Sequence, residues 1–210
     1  MRLKPKLKLV CGAVALLIFT AVAVINKYTP LLRSPDEYLI VFSSRLTSQA
    51  VWLMTVISAA ASIYCVWAIA LLLLMLSLTM KLLPKHIIVQ LVAVLAATEV
   101  LTALIKLLVG VPRPLLGHAE VQSLSVNNAL HIVGMMSFPS GHVARFTVLS
   151  VYLGYTSKAA AVLLYVLLLL VAVSRVLLRS HYCVDVLGGF LLGVGTSLTI
   201  NSLLTDYRRR

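Results

Sequence analysis

Four ionisable residues lie close together near the carboxyl end of the chain, between two apolar runs over residues 159–173 and 186–204. They are Arg175, Arg179, His181 and Asp185. Ionisable groups at membrane depth are rare and are functional candidates by default. His181 and Asp185 are four residues apart, so on a helix they would share one face. A carboxylate in that place can hold one imidazole nitrogen and leave the other to attack or to transfer a proton.

A second candidate segment, Pro139-Ser140-Gly141-His142, comes directly before an apolar run. Ser140 is expected to cap the helix that begins here, and the amides of Ser140 and Gly141 would point out of its amino end. The amino end of a helix binds anions, and glycine permits a close approach to its backbone. His142 would then stand beside the same anion.

Three cations, Lys106, Arg113 and Arg175, would come to the same place, with Arg145 and Arg179 as accessory candidates. Such a cluster repels itself unless an anion neutralises it, and guanidinium groups match phosphate oxygens. The expected ligand is therefore a phosphate. His181 would attack phosphorus to form a phosphohistidine, while His142 would protonate the leaving oxygen and then activate water. This chemistry needs no divalent metal, and no cofactor is expected.

The composition is that of an integral membrane protein. Of the 210 residues, 61% are hydrophobic and 11% are charged, whereas soluble domains are about 45–50% apolar. The formal net charge is +12, but the basic residues stand in short segments between apolar runs, without interleaved aromatic residues. This distribution argues against nucleic acid as a partner. The cysteines, at positions 11, 65 and 183, have no metal-type spacing, and a disulfide framework is not expected.

Six apolar segments are interpreted as transmembrane helices: residues 9–25, 51–80, 86–109, 141–155, 159–178 and 186–204. The predicted fold class is therefore all-α, a bundle of six transmembrane helices in one domain over residues 1–210. The first span, interpreted as an uncleaved signal anchor, and its loop occupy residues 1–50, with a short amphipathic helix near 36–42. The chemical motifs fall within 85–205. The polar connection over 110–139 is long enough to be functional, although His118 and His131 within it are interpreted as solvated loop residues.

Basic residues predict the orientation. Ten of them fall on the side of the two termini, which the positive-inside tendency places in the cytoplasm: Arg2, Lys4, Lys6, Lys8, Lys81, Lys85, Lys158, Arg208, Arg209 and Arg210. The candidate site then lies at the opposite face. The membrane would be the plasma membrane in a prokaryote, and the endoplasmic reticulum would fit equally in a eukaryote.

One predicted span carries two charges, Glu99 and Lys106, seven residues apart on one helix face. Lipid would penalise both, so this face is expected to point into the bundle. Glu99 is interpreted as a buried partner for one of the cations. Arg145 could contact Glu99, a second phosphate or lipid headgroups.

Taken together and in this order, the motifs resemble the three signatures of the type 2 phosphatidic acid phosphatase (PAP2) superfamily. The matching residues are Lys106, then six residues and Arg113-Pro114; Pro139-Ser140-Gly141-His142; and Ser174-Arg175, five residues, His181, three residues and Asp185. The resemblance implies a six-helix membrane phosphatase of the PAP2/chloroperoxidase type that acts on lipid phosphates or diphosphates without metal. It also implies the following roles. Lys106, Arg113, Ser140, Gly141 and Arg175 would bind phosphate, His142 would be the acid, His181 the nucleophile and Asp185 its partner.

Within this superfamily, the segments before Arg145 and Arg179 are most similar to the polyisoprenoid or presqualene diphosphate phosphatase branch. The expected function is hydrolysis of a polyprenyl diphosphate or monophosphate in the bilayer. The alternatives are a phosphatidate or phosphatidylglycerophosphate phosphatase, a lipid phosphotransferase, and a non-catalytic membrane scaffold. A metal site built from His142, His181 and Asp185 is disfavoured because the surrounding cations would oppose a metal ion. The oligomeric state is left open.

Overall fold

The computed structural model describes residues 4–80, 84–114, 129–154 and 158–207. Helices dominate these ranges, and none of the described residues belongs to a named strand, so the predicted all-α class is confirmed there. The helices are α1 (Pro5–Tyr28), α2 (Glu37–Ser43), α3 (Ser48–Ala60), α4 (Ile63–Thr79), α5 (Lys85–Val109), α6 (Ala129–Met135), α7 (Gly141–Gly154), α8 (Lys158–Leu177) and α9 (Cys183–Tyr207), with a 3-10 turn at Ser34–Asp36.

Among the described helices, α1, α5, α8 and α9 are each long and apolar enough to cross a membrane. Helices α3 and α4 reach that length as a pair, which is bent by 40°. Helix α7 has 14 residues and measures about 21 Å, less than a hydrocarbon core of about 30 Å. These helices identify an integral membrane protein with four or five candidate spans among the described residues. The six spans that the sequence predicts stay a prediction.

The predicted single span over residues 51–80 is interrupted at Ala61 and Ser62. The Ser62 Oγ accepts a hydrogen bond from the N–H of Cys65 at 3.2 Å, which caps the start of α4. Because that N–H is engaged, the carbonyl of Ala61 is left for another donor. This break is not evident from the sequence, since residues 51–80 contain neither glycine nor proline.

Helix α7 lies at the centre of the bundle. All of its residues from Val143 to Tyr152 are buried, and it packs against α4, α5, α8 and α9. A Cβ atom on Gly189 of α9 would collide with the carbonyl of Ser140, and one on Gly193 would collide with the carbonyl of Ala144. Small residues therefore let the two backbones approach closely, as in many membrane helix pairs. The start of α7 is thereby fixed against the start of α9.

Polar side chains join the long helices inside the bundle. The hydroxyls of Thr98 and Thr196 are 3.0 Å apart, and Asn201 donates to Gln90 at 3.3 Å. Lys8 donates to the same asparagine at 2.7 Å. These contacts satisfy polar groups away from water and tie α1 and α5 to α9.

Parts of several predicted loops lie outside the described residues. They are the turn at 81–83, residues 115–128 with His118, the turn at 155–157 and the basic tail at 208–210. Nothing is described of the His131 side chain. Helix α6 occupies part of the predicted 110–139 connection, and α2 corresponds to the short helix predicted near 36–42.

Candidate functional site

Lys106 lies in the last turn of α5, which ends at Gly110. Gly110 has a φ of 70°, a left-handed conformation that glycine adopts without strain. The Lys106 ammonium is buried and donates a hydrogen bond to the carbonyl of Met136. The end of α5 is therefore anchored to the segment that leads into α7.

Arg113 follows α5 in an extended segment that pairs with the same region. Its N–H donates to the carbonyl of Met135 at 3.2 Å, and the N–H of Ser137 donates to the carbonyl of Val111 at 2.7 Å. The first predicted motif is thus held beside the second by backbone hydrogen bonds.

Ser140 joins the start of α7 to the first turn of α9. Its N–H donates to the Asp185 carbonyl at 2.9 Å, and its Oγ is buried without a hydrogen-bond partner among the described residues. Two expectations are therefore wrong. The hydroxyl does not cap α7, and the Ser140 amide is not free for an anion, because the packing of α7 on α9 engages it.

His181 and Asp185 are brought together at the start of α9. The His181 Nδ1 lies 3.5 Å from the Asp185 Oδ2, and both side chains are buried. The same oxygen accepts the N–H of Tyr182 at 2.8 Å, which is the backbone half of a capping box and fixes the carboxylate. With Nδ1 on the Asp185 side, Nε2 is the nitrogen left for a substrate.

The surroundings keep His181 neutral. Its pKa lies well below the ordinary 6.5, first because burial disfavours the charged form and then because Lys106, Arg175 and Arg113 are near. Burial also lowers the pKa of Arg113, while the Asp185 carboxylate opposes that shift. A neutral imidazole has the free electron pair that attack on a phosphate requires.

A cavity of about 570 Å³ lies beside these groups. The predicted site residues in its wall are Lys106, Arg113, Gly141, His142, Arg145 and His181. Among the described residues, that wall does not include Ser140, Arg175, Arg179 or Asp185. Nor do the described residues place three or more His, Cys, Asp or Glu side chains where they could hold a metal ion. Each of the three motifs therefore contributes at least one residue to the cavity wall, and the other motif residues are not among the described residues that line it.

The PAP2 superfamily model matches residues 87–209, more than half of the chain. The chain belongs to the PAP2 superfamily. It is also similar to the crystal structure of the first transmembrane PAP2 type phosphatidylglycerolphosphate phosphatase from Bacillus subtilis. The TM-score is 0.72 and the identity 21%, over 95% of this chain and 97% of that chain, which shows the fold. No curated protein sequence matches the chain. The superfamily predicted from the motifs is confirmed, and the chain is a membrane phosphatase.

Arg145 of this PAP2 phosphatase is engaged by its surroundings. Its Nε and Nη2 donate to the two carboxylate oxygens of Glu99 at 2.5 and 3.0 Å, and its Nη1 donates to the Ala61 carbonyl at 3.3 Å. Glu99, interpreted from the sequence as a buried partner for one of the motif cations, is only half-buried and pairs with the accessory candidate Arg145. The other accessory candidate, Arg179, has a φ of 51° in the turn before α9 and lies away from the cavity wall.

Two other residues, which lie outside the PAP2 motifs, hold motif segments in place, and neither is evident from the sequence. The Ser58 Oγ of α3 accepts from Arg175 Nη1 at 2.6 Å, while Arg175 Nε has no partner among the described residues. The buried Asp36 carboxylate accepts the N–H of Cys183 at 2.6 Å, at the amino end of α9, where a negative charge is favourable. A lone serine in an apolar run and an aspartate in a polar loop carry no signal of such roles.

We predict that Ser58→Ala weakens phosphate binding by misorienting Arg175. A hydrogen bond to a charged group contributes about 1.5–3 kcal/mol, so KM and the inhibition constant of orthovanadate should rise about tenfold or more, with a smaller change in kcat. Ser58→Thr keeps the hydroxyl and should restore binding. Ser150→Ala is the matched control, because it removes a buried hydroxyl that donates to the Phe146 carbonyl within α7. Equal effects of Ser58→Ala and Ser150→Ala would contradict the positioning role.

The depressed pKa of His181 predicts a loss of stability in acid. An unfolded histidine takes a proton as the pH falls through about 6.5, whereas the native imidazole stays neutral because its pKa is lower. The unfolded state then binds more protons, so the free energy of unfolding falls as the pH drops from 7.5 to 5.5. His181→Gln should reduce this dependence, measured as the change in Tm in detergent between the two pH values. The same pH dependence in both proteins would refute the prediction.

Proposed function

We propose that this lipid phosphatase hydrolyses a polyprenyl diphosphate or monophosphate through a phosphohistidine on His181. One observation carries the proposal: the neutral, buried His181 shares a cavity wall with His142, Lys106 and Arg113. A nucleophile, a second imidazole and phosphate-binding cations are thereby supplied by three different parts of the chain. The polyprenyl tail is inferred from the sequence around Arg145 and Arg179.

In the first step the Nε2 of His181 forms a bond to phosphorus, and the bond from phosphorus to the lipid-side oxygen breaks. His142 gives that oxygen a proton, so the lipid leaves as an alcohol, or as a monophosphate if the substrate is a diphosphate. Asp185, at 3.5 Å from Nδ1, stabilises the positive charge that develops on the imidazole.

In the second step water attacks phosphorus and His142 takes a proton from it. The bond between phosphorus and Nε2 breaks, inorganic phosphate leaves, and His181 returns to its neutral form. Lys106 and Arg113 stabilise the charge on the phosphoryl oxygens in both steps. The Ser140 hydroxyl, buried and unpartnered among the described residues, is available to a third oxygen.

We expect purified enzyme to release inorganic phosphate from farnesyl diphosphate or farnesyl monophosphate in excess chelator. His181→Ala should lower the rate at least about a thousandfold, as loss of a nucleophile does. His86→Ala is the matched control, because it removes an exposed histidine in the first turn of α5. Alkaline quenching with ³²P-labelled substrate should trap label on the wild type and not on His181→Ala.

Phosphate release that persists in His181→Ala would exclude the phosphohistidine mechanism. Release from phosphatidate or phosphatidylglycerophosphate without release from either farnesyl compound would replace the polyprenyl tail with a glycerolipid. Labelled enzyme that passes its phosphate to a lipid alcohol rather than to water would indicate a phosphotransferase.

We also propose that the chain crosses the membrane six times, with both termini in the cytoplasm. The pair α3 and α4 would form one bent crossing, and α7 would cross inside the bundle, where protein rather than lipid surrounds it. Lys4 and the Lys85 end of α5 would then face the cytoplasm, and His181 the opposite side.

The orientation is tested by thiol labelling in intact cells, after the three native cysteines are replaced by alanine. A membrane-impermeant maleimide should modify Tyr38→Cys, because the Tyr38 side chain is exposed near the start of α2. Lys4→Cys should react only after the membrane is permeabilised. The reverse pattern would invert the proposed topology.

A further inference from the structure

Arg145 and Glu99 form a closed ion pair in the wall of the catalytic cavity. Both carboxylate oxygens of Glu99 accept from Arg145, and the third guanidinium nitrogen donates to the carbonyl of Ala61. The arginine side chain is 9% exposed and the glutamate side chain 21% exposed. Both residues line the cavity, and the glutamate is the more exposed of the two.

The pair lies next to the place where a phosphate would bind. Arg145 is one helical turn beyond Gly141 on α7, and a Cβ atom on Gly141 would lie 3.1 Å from Arg145 Nη2. Glu99 is two turns before Lys106 on α5, and all four residues line the same cavity. The pair therefore borders the part of the cavity that a group attached to the reacting phosphate would occupy.

The cations that face the cavity suffice for one phosphate. Lys106 and Arg113 lie in the wall, whereas Arg175 is near His181 but is not among the described residues that line the cavity. Of the two accessory candidates, Arg145 is neutralised by Glu99 and Arg179 is not in the wall formed by the described residues. A second phosphate would have to break the pair and leave the Glu99 carboxylate half-buried beside another anion, which is unfavourable.

We infer that the Glu99–Arg145 pair makes this enzyme selective for lipid monophosphates over lipid diphosphates. The inference rests on the proposed function, since it assumes that phosphate reacts in this cavity. This selectivity narrows the proposed substrate to a lipid in which the group attached to the reacting phosphate is uncharged.

The test compares kcat/KM for two pairs of substrates that differ only in phosphate number. Farnesyl monophosphate and diphosphate form one pair, and phosphatidate and diacylglycerol diphosphate form the other, with phosphate release measured at low conversion. The wild type should prefer the monophosphate by about tenfold or more. Equal rates, or a preference for the diphosphate, would overturn the inference.

Two variants test whether the Glu99–Arg145 pair causes the preference for the monophosphate. Glu99→Gln removes the charge that repels a second phosphate and releases an arginine donor, so the ratio of diphosphate to monophosphate kcat/KM should rise about tenfold. The double variant Glu99→Gln/Arg145→Gln restores a neutral pair that can still form hydrogen bonds, and its ratio should return toward that of the wild type. An unchanged ratio in Glu99→Gln would overturn the assignment. If that variant fails to fold, the wild-type ratios still test the selectivity, because they need no substitution.

The two substrate pairs separate this inference from the proposed function. Activity on the glycerolipids alone, with phosphatidate preferred, would reject the polyprenyl tail and support monophosphate selectivity. Activity on the farnesyl compounds with the diphosphate preferred would support the proposed tail and overturn the selectivity. No hydrolysis of any of the four compounds would overturn both.

Discussion

Lys106, Arg113 and Arg175 bring like charges together inside an apolar protein, and their mutual repulsion must be resisted by groups that hold each of them. Neutral oxygens do this for two of the three: the Met136 carbonyl accepts from Lys106, and the Ser58 hydroxyl accepts from Arg175. A neutral acceptor orients a cation without cancelling its charge. These two acceptors therefore fix the direction of Lys106 and Arg175 without placing a negative charge beside either of them. Arg145 differs, because the carboxylate of Glu99 cancels its charge.

The geometry of the cluster depends in turn on the close contact between α7 and α9. Gly189 and Gly193 allow the two backbones to approach, and the Ser140 N–H then reaches the carbonyl of Asp185. This single backbone hydrogen bond sets the segment that carries His142 against the segment that carries His181. A bulkier residue at either glycine would push apart two histidines that the proposed chemistry requires on one cavity.

The sequence was sufficient for the parts of the site that are encoded by local spacing. The interval between His181 and Asp185 predicts a shared helix face, and the order of the three motifs predicts the superfamily. It was not sufficient where a contact joins distant segments through a residue of ordinary type. Ser58 is one hydroxyl in a long apolar run, and Asp36 is one carboxylate in a loop, so neither stands out until the fold places it. The break at Ala61 and Ser62 was not predicted for a related reason. A single serine that could cap a helix is a weak signal within an apolar run that is long enough for one continuous helix.

Asp185 both caps the start of α9 and faces the imidazole of His181. As the third residue of α9 it accepts the N–H of Tyr182, as a capping carboxylate does. The same oxygen faces Nδ1 of His181. The capping hydrogen bond fixes the carboxylate before any substrate binds. The aspartate side chain therefore loses no further conformational entropy when charge develops on the imidazole. Asp36 reinforces the arrangement by accepting the next amide, that of Cys183. The start of α9 is thus held by two carboxylates, and the orientation of His181 follows from the same hydrogen bonds that begin the helix.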